Sequence, residues 1–213
     1  MAECSLSGGE TAEMPGLYLE KDFDLAGFSV GLVDRKNVLG ESRVKVKDCL
    51  IAIESSGLHS NGYSLIRKLV EKEKLNPESK TSFSERTWAE ELLSPTLIYV
   101  KALKIHLTNL TGLAHITGGG ITGNLPRILP AGSEAHLKLD TLKFSELFKW
   151  IQNSAALSTE QMLETFNCGT GMIAACDPSY AETLLTSLAK GGLKGHVMGS
   201  VENSSSGSEK SDP

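Results

Sequence analysis

The stretch of this chain best suited to chemistry is His115 to Pro130, HITGGGITGNLPRILP, where three consecutive glycines stand between a short apolar run and a segment with helical spacing. Gly118, Gly119 and Gly120 have no Cβ and accept positive φ, so backbone N–H groups there can approach an anion closely. If Ile121, Leu125, Ile128 and Leu129 form one face of a following helix, its unpaired N–H groups and dipole point back at that anion. A phosphate suits such a cradle. A plain strand-to-helix bend is the rival reading, because the string matches neither the P-loop nor the dinucleotide fingerprint.

Other polar strings offer compatible chemistry. His59, Ser60 and Asn61 lie in the loop SSGLHSNG, just before a segment of helical spacing, so imidazole, hydroxyl and amide could reach a phosphate or a substrate amide. A histidine near its ordinary pKa can donate to an oxyanion or carry a proton. Asn61 could instead only cap the helix. His115 and Thr117 flank the glycines, and a hydrogen-bonded core histidine at a strand end is the alternative for His115. Asn167 and Gly169, in TFNCG, either shape a cleft floor or simply form a turn. Glu10 and Glu13, with Thr11 between them in GGETAEMPG, are two carboxylates beside a glycine turn; they suit an ion that keeps several waters, or are solvated loop acids. His106, His136 and His196 read as surface residues.

The elements that must position these groups follow from periodicity. Residues 23–33, FDLAGFSVGLV, read as a buried strand, and the polar residues 34–47 read as a connection between two domains. DCLIAIE at 48–54 is a continuous apolar run, expected as a strand buried on both faces. Tyr63, Leu65, Ile66, Leu69 and Val70 repeat at helical spacing. Residues 74–85 read as a surface excursion, 88–93 as a helical turn stopped by Pro95, 97–110 as a helix, and 113–116 as a strand entering the glycine turn. Next come an exposed strand at 135–139, a helix at 144–151, and a helix opened by the Ser158/Gln161 capping box. A strand at 171–176, a helix at 179–189 stopped by Gly191 and Gly192, and a strand at 196–201 complete the domain. The final residues, NSSSGSEKSDP, contain nothing apolar to bury and are expected to be disordered.

This alternation argues for an α/β or α+β layered domain. With 213 residues, the chain can hold one whole domain and part of another. Its net charge of −5, from 21 basic and 26 acidic residues, comes without a basic cluster, which disfavours nucleic acid as a partner. There is no apolar run of membrane-spanning length and no signal peptide, so a cytoplasmic location is expected. Four cysteines show neither zinc nor disulfide spacing, and Cys49 and Cys176 read as buried apolar residues.

Six strings, CSLSGGETAEMPG at 4–16, DLAGFSVG at 24–31, ESSGLHSNGYSLIRK at 54–68, LLSPTLIYVK at 92–101, HITGGGITGNLPRILP at 115–130 and TFNCGTGMI at 165–173, occur in the order found in one enzyme family. Together they closely resemble phosphoribosylformylglycinamidine cyclo-ligase, the aminoimidazole ribonucleotide synthetase of purine biosynthesis, in its C-terminal portion. The resemblance implies the tail of an N-terminal ATP-binding domain at 1–34, a linker at 35–47, a C-terminal synthetase-type α/β domain at 48–201 and a disordered tail at 202–213. It implies ATP and Mg²⁺ as cofactors, with Glu10, Thr11 and Glu13 on the ATP side and Glu10 and Glu13 as metal ligands. His59 and His115 would be catalytic, and Ser60, Asn61, Thr117, Gly118, Gly119, Gly120 and Asn167 would bind the substrate and its phosphate.

The implied reaction is ATP-dependent closure of formylglycinamidine ribonucleotide to aminoimidazole ribonucleotide. The resemblance implies a homodimer whose dimer-forming part would be mostly absent here, and because most of the family's ATP and metal contacts would be absent too, this piece alone is expected to be inactive. Family members usually carry an acidic residue at the position of Gly123 and an arginine at that of Leu97. Two other readings stand beside the enzyme fragment: a non-catalytic binding or regulatory fragment that keeps the cleft, and another ATP-dependent member of the superfamily.

Overall fold

The computed structural model describes residues 2–142 and 144–204. Five strands form one sheet in the order β2-β4-β1-β5-β3: β1 is Cys49–Glu54, β2 Leu110–His115, β3 Ser133–Leu137, β4 Thr170–Cys176 and β5 Gly195–Asn203. Every pairing is antiparallel. The sheet's centre is β1, whose apolar run is buried on both faces as its composition demands. Ile51 and Ile53 are fully buried, each stabilising the fold by about 1.5–3 kcal/mol relative to exposure.

Helices cover both faces. On one, Leu50, Ala52, Ile173 and Met198 pack with Ile66 and Leu69 of α1 (Tyr63–Lys72), Trp88 of α2 (Trp88–Leu92) and Ile121 of α4 (Gly120–Asn124). Phe148 of α5 (Glu146–Ala155) and Met162 of α6 (Thr159–Thr165) complete that layer. On the other, Ile51, Ile53, Ala174 and Cys176 meet Leu103 of α3 (Val100–Leu103) and Leu184 and Leu188 of α7 (Ala181–Lys190). The layered α+β expectation holds. Cys49, Cys168 and Cys176 are buried, as small apolar residues would be.

Local signals set several boundaries. Ser158 and Gln161 form the expected capping box at α6, and Thr87 with Glu90 forms another at α2. Elsewhere tertiary packing overrides periodicity. The helix expected over 97–110 is only α3 followed by a 3-10 turn at Lys104–His106, because Leu110 already enters β2. After Gly120 the helix runs five residues and tightens into a 3-10 turn at Leu125–Ile128, where Pro126 removes a backbone donor. Ile121, Leu125, Ile128 and Leu129 are nevertheless all buried, as expected of one face.

Two expectations, the strand at 23–33 and the surface position of His106, need correction. Residues 23–33 form no strand and are exposed throughout, since a buried strand needs neighbours and no described residue pairs with them. The polar stretch after Asp34 is tied onto the sheet at several points. The Gly40 N–H donates to the Thr111 carbonyl at 2.9 Å, the Lys47 N–H donates to the Val201 carbonyl at 2.6 Å, and Val44 is buried. His106 is not a surface residue: it is 5 % exposed, with Tyr180 Oη 2.7 Å from Nδ1 and Ser187 Oγ 2.8 Å from Nε2. The C-terminal stretch expected to be disordered lies, from residue 205 onward, outside the described residues.

Candidate functional site

Antiparallel pairing brings the C-terminal ends of β1 and β2 and the N-terminal end of β4 to the same edge of the sheet. The 55–62 loop, the glycine turn and the 167–169 turn therefore meet there. A register shift between Ile53 and Glu54 sets Glu54 opposite Thr170 and leaves Gly171 beneath Tyr99 and His59. A Cβ on Gly171 would lie 2.0 Å from Tyr99 Oη and 2.6 Å from His59 Cε1, so this glycine makes the room in which both rings sit. The Tyr99 hydroxyl donates to the Glu54 carbonyl at 2.6 Å.

His59 is 3 % exposed, and its Nε2 accepts the Ser56 N–H at 3.0 Å and lies 3.4 Å from the Leu97 N–H. Accepting there requires the proton on Nδ1, which is buried without a hydrogen-bond partner. Burial, and then the proximity of His115, pushes the His59 pKa down to about 4, so the ring is neutral at pH 7. His59 and Ser60 both hold positive φ, 50° and 60°, a backbone strain that marks the loop as over-determined by its surroundings. Asn61 does not cap α1. Gly62 occupies that position, while the Asn61 amide donates to the His59 carbonyl at 2.6 Å.

The glycine turn is held from below by Asn124, which is 4 % exposed. Its amide nitrogen lies 3.3, 3.2 and 2.7 Å from the carbonyl oxygens of Thr117, Gly118 and Gly120, and its oxygen accepts the Thr117 hydroxyl at 3.2 Å. With the carbonyls turned inward to Asn124, the N–H groups of Thr117, Gly118 and Gly119 have no partner among the described residues. Gly118 and Gly119 are exposed, and Gly120 is buried against the Leu163 carbonyl. Asn61 Oδ1 stands 3.5 Å from where a Gly118 Cβ would be, so loop and turn share one wall.

Asn167 is spent on architecture. At 1 % exposure, its oxygen accepts from Ser55 Oγ and the Gly169 N–H, and its amide donates to the Gly57 carbonyl at 2.8 Å. It ties two loops together. Ser60, His115, Gly118 and Gly119 face solvent, with Asn61 and Thr117 half-buried beside them. Glu10, Thr11 and Glu13 lie apart on the exposed N-terminal segment, and among the described residues no three metal-ligating side chains converge.

Sequence reading passed over Asn124, Tyr99 and Gly171. Asn124 had one available signal, its position four residues after Gly120 on the buried side of a short helix. Gly123 is exposed, and a Cβ there would meet nothing within 4 Å. Leu97 packs with the apolar cluster around Tyr99 and Leu103.

Residues 45–211, the stretch that carries this sheet with its glycine turn and histidine loop, match the family described as AIR synthase related protein, C-terminal domain. The chain belongs to that family and carries its C-terminal domain. Within it, the similarity runs to phosphoribosylformylglycinamidine cyclo-ligase from Coxiella burnetii strains RSA 331 / Henzerling II and RSA 493 / Nine Mile phase I, 45 % identical over 207 residues. The match covers 96 % of this chain and 58 % of each relative, in keeping with the C-terminal portion of the cyclo-ligases. Among solved structures, thiamine-monophosphate kinase from Stenotrophomonas maltophilia K279a superposes with a TM-score of 0.57 at 16 % identity, covering 81 % of this chain and 52 % of that one. Hydrogenase maturation protein HypE superposes with a TM-score of 0.55 at 21 % identity, covering 81 % and 49 %. These two likenesses concern the fold.

Proposed function

We propose that this chain is the substrate-holding part of an ATP-dependent cyclo-ligase that closes formylglycinamidine ribonucleotide to aminoimidazole ribonucleotide in purine biosynthesis. ATP supplies the phosphoryl group that turns the substrate's amide oxygen into a leaving group; a nitrogen of the substrate then attacks and phosphate departs. Such a reaction depends mainly on positioning and charge stabilisation. Residues 1–34 are the end of the ATP-binding domain, 35–47 the connection and 48–201 the substrate domain. The remaining Mg²⁺ ligands, joined by Glu10 and Glu13, and the dimer-forming surface belong to the part of the relatives that this chain does not span.

The observation that carries the reading is the row of three unpartnered N–H groups at residues 117–119, turned outward by Asn124 and walled by Asn61. They hold the substrate's phosphate. Ser60 and Asn61 bound the other side, and exposed His115 is the imidazole placed to donate to a developing oxyanion. His59, neutral and enclosed, acts through the loop it fixes.

Gly118 gives a cleaner test than Gly119. Gly119 has φ of +91°, so any side chain there is strained, whereas a Gly118 Cβ finds only an ordinary 3.5 Å contact. With the chain joined to the N-terminal portion of the Coxiella burnetii relative, Gly118→Ala is expected to lower kcat/KM by about 10²-fold or more while the melting temperature stays unchanged. Wild-type kinetics in Gly118→Ala would reduce the turn to a structural bend.

A further inference from the structure

The sheet ends on β3, and no described strand pairs with its outer side. Strand polarity fixes what that edge presents. The Lys138 N–H donates to the Met198 carbonyl at 2.8 Å, and a Cβ on Gly199 would lie 2.1 Å from the His136 carbonyl oxygen, so the even-numbered backbone groups serve the pairing with β5. The N–H and C=O groups of Ala135 and Leu137 therefore point outward, a template for a further strand.

Side chains select which strand can join. Outward groups at 135 and 137 confine an antiparallel contact between two β3 edges to registers that set odd positions opposite odd ones. Centring on Glu134 opposes two carboxylates, centring on Ala135 gives Glu134 only an imidazole, and centring on Leu137 opposes His136 and Lys138. Centring on His136 sets Glu134 opposite Lys138 of the second copy, twice by symmetry, in the closely spaced kind of pair. Glu134 and Lys138 are exposed, and neither is in an ion pair among the described residues. Glu134 also stands opposite Glu202 of β5, a like-charge pair that an incoming ammonium relieves. On the other face, Ala135 and Leu137 are half-buried against the core, and a second β3 would extend that apolar row.

We propose that β3 is an interface for a second copy of this chain, joined edge to edge about a two-fold axis at His136, so that two five-stranded sheets become one. A contact of one short strand a side is small beside the standard interface of about 1,600 Å², so the dimer is weak and concentration-dependent. It does not depend on the role of the glycine turn.

Sedimentation equilibrium of the 213-residue chain measures the association, and hydrogen exchange locates it. A monomer–dimer equilibrium is expected with a Kd below about 1 mM, the amides of Ala135 and Leu137 gaining protection as concentration rises. Glu134→Lys and Lys138→Glu should each weaken the dimer by about tenfold or more, since each sets like charges opposite one another twice. Mixed in equal amounts, the two variants should form a heterodimer as tight as the wild-type dimer, because each then meets the opposite charge. Both positions are exposed, and unchanged unfolding midpoints check the fold. Three results would overturn the proposal: a wild-type chain that stays monomeric at about 1 mM, a dimer indifferent to both variants, as association through the exposed 23–33 segment would be, or a mixture that associates no more tightly than either variant alone.

Discussion

Asn124 shows how one buried side chain can set the chemistry of a turn it never exposes. By taking the carbonyls of Thr117, Gly118 and Gly120 on its amide, it frees the N–H side of the turn for a ligand. Asn124→Ala removes those contacts, leaving the Thr117 carbonyl only the Gly120 N–H, and should cost about 1–3 kcal/mol in urea unfolding; a change under about 0.5 kcal/mol would mean the turn holds itself. His59 makes a pH prediction. Its folded pKa of about 4 lies below the ordinary value of 6.5, so the unfolded chain binds the extra proton between those pH values. Stability is therefore full above pH 6.5 and falls as pH drops toward 4, by up to about 3 kcal/mol from this group. In His59→Gln that part of the decline should vanish, and an unchanged slope between pH 6.5 and 4.5 would refute the assignment. At this scale the sequence showed the strings bearing unusual chemistry, because His, Asn and clustered Gly stand out locally. It hid Asn124 and Tyr99, whose partners depend on a turn and on a strand register.

Elements meet at this site through absent side chains. A Cβ on Gly62 would stand 2.1 Å from Cε1 of Phe166, a ring with no exposure, at a φ of +77°. Overpacking costs about 1–3 kcal/mol and φ strain about as much again. Gly62→Ala should thus lose roughly 2–6 kcal/mol, and Phe166→Leu in the same chain should return only the packing share. If Gly62→Ala unfolds at the wild-type urea concentration, α1 does not seat against Phe166 as described. Capping boxes and the continuous apolar β1 were legible because their signals lie within a few residues. The helix expected over 97–110 was not, since β2 claims its C-terminal end through pairing with β4. His106 was misread for a similar reason, as its partners Tyr180 and Ser187 lie more than 70 positions away.

For the whole molecule, the outstanding feature is an apolar segment with nothing over it. Phe23, Leu25, Phe28, Val30 and Leu32 are 83–102 % exposed, a run that composition marks for burial. Sequence could indicate that these residues need neighbours, but it could not supply the neighbours. If they end an ATP-binding domain, amides 23–33 should exchange rapidly in this chain while those of β1 and β4 are protected, and joining the N-terminal portion of the 45 %-identical relative should protect them too. Fast exchange persisting in the joined protein would detach this segment from that domain.

The same comparison decides the central claim when read as chemistry, by measuring ADP release dependent on formylglycinamidine ribonucleotide. The 213-residue chain should give none above background, and the chain joined to the N-terminal portion of its 45 %-identical relative should turn over. A joined, folded protein that binds the substrate yet releases no ADP would contradict the cyclo-ligase reading, and so would equal turnover by the chain alone.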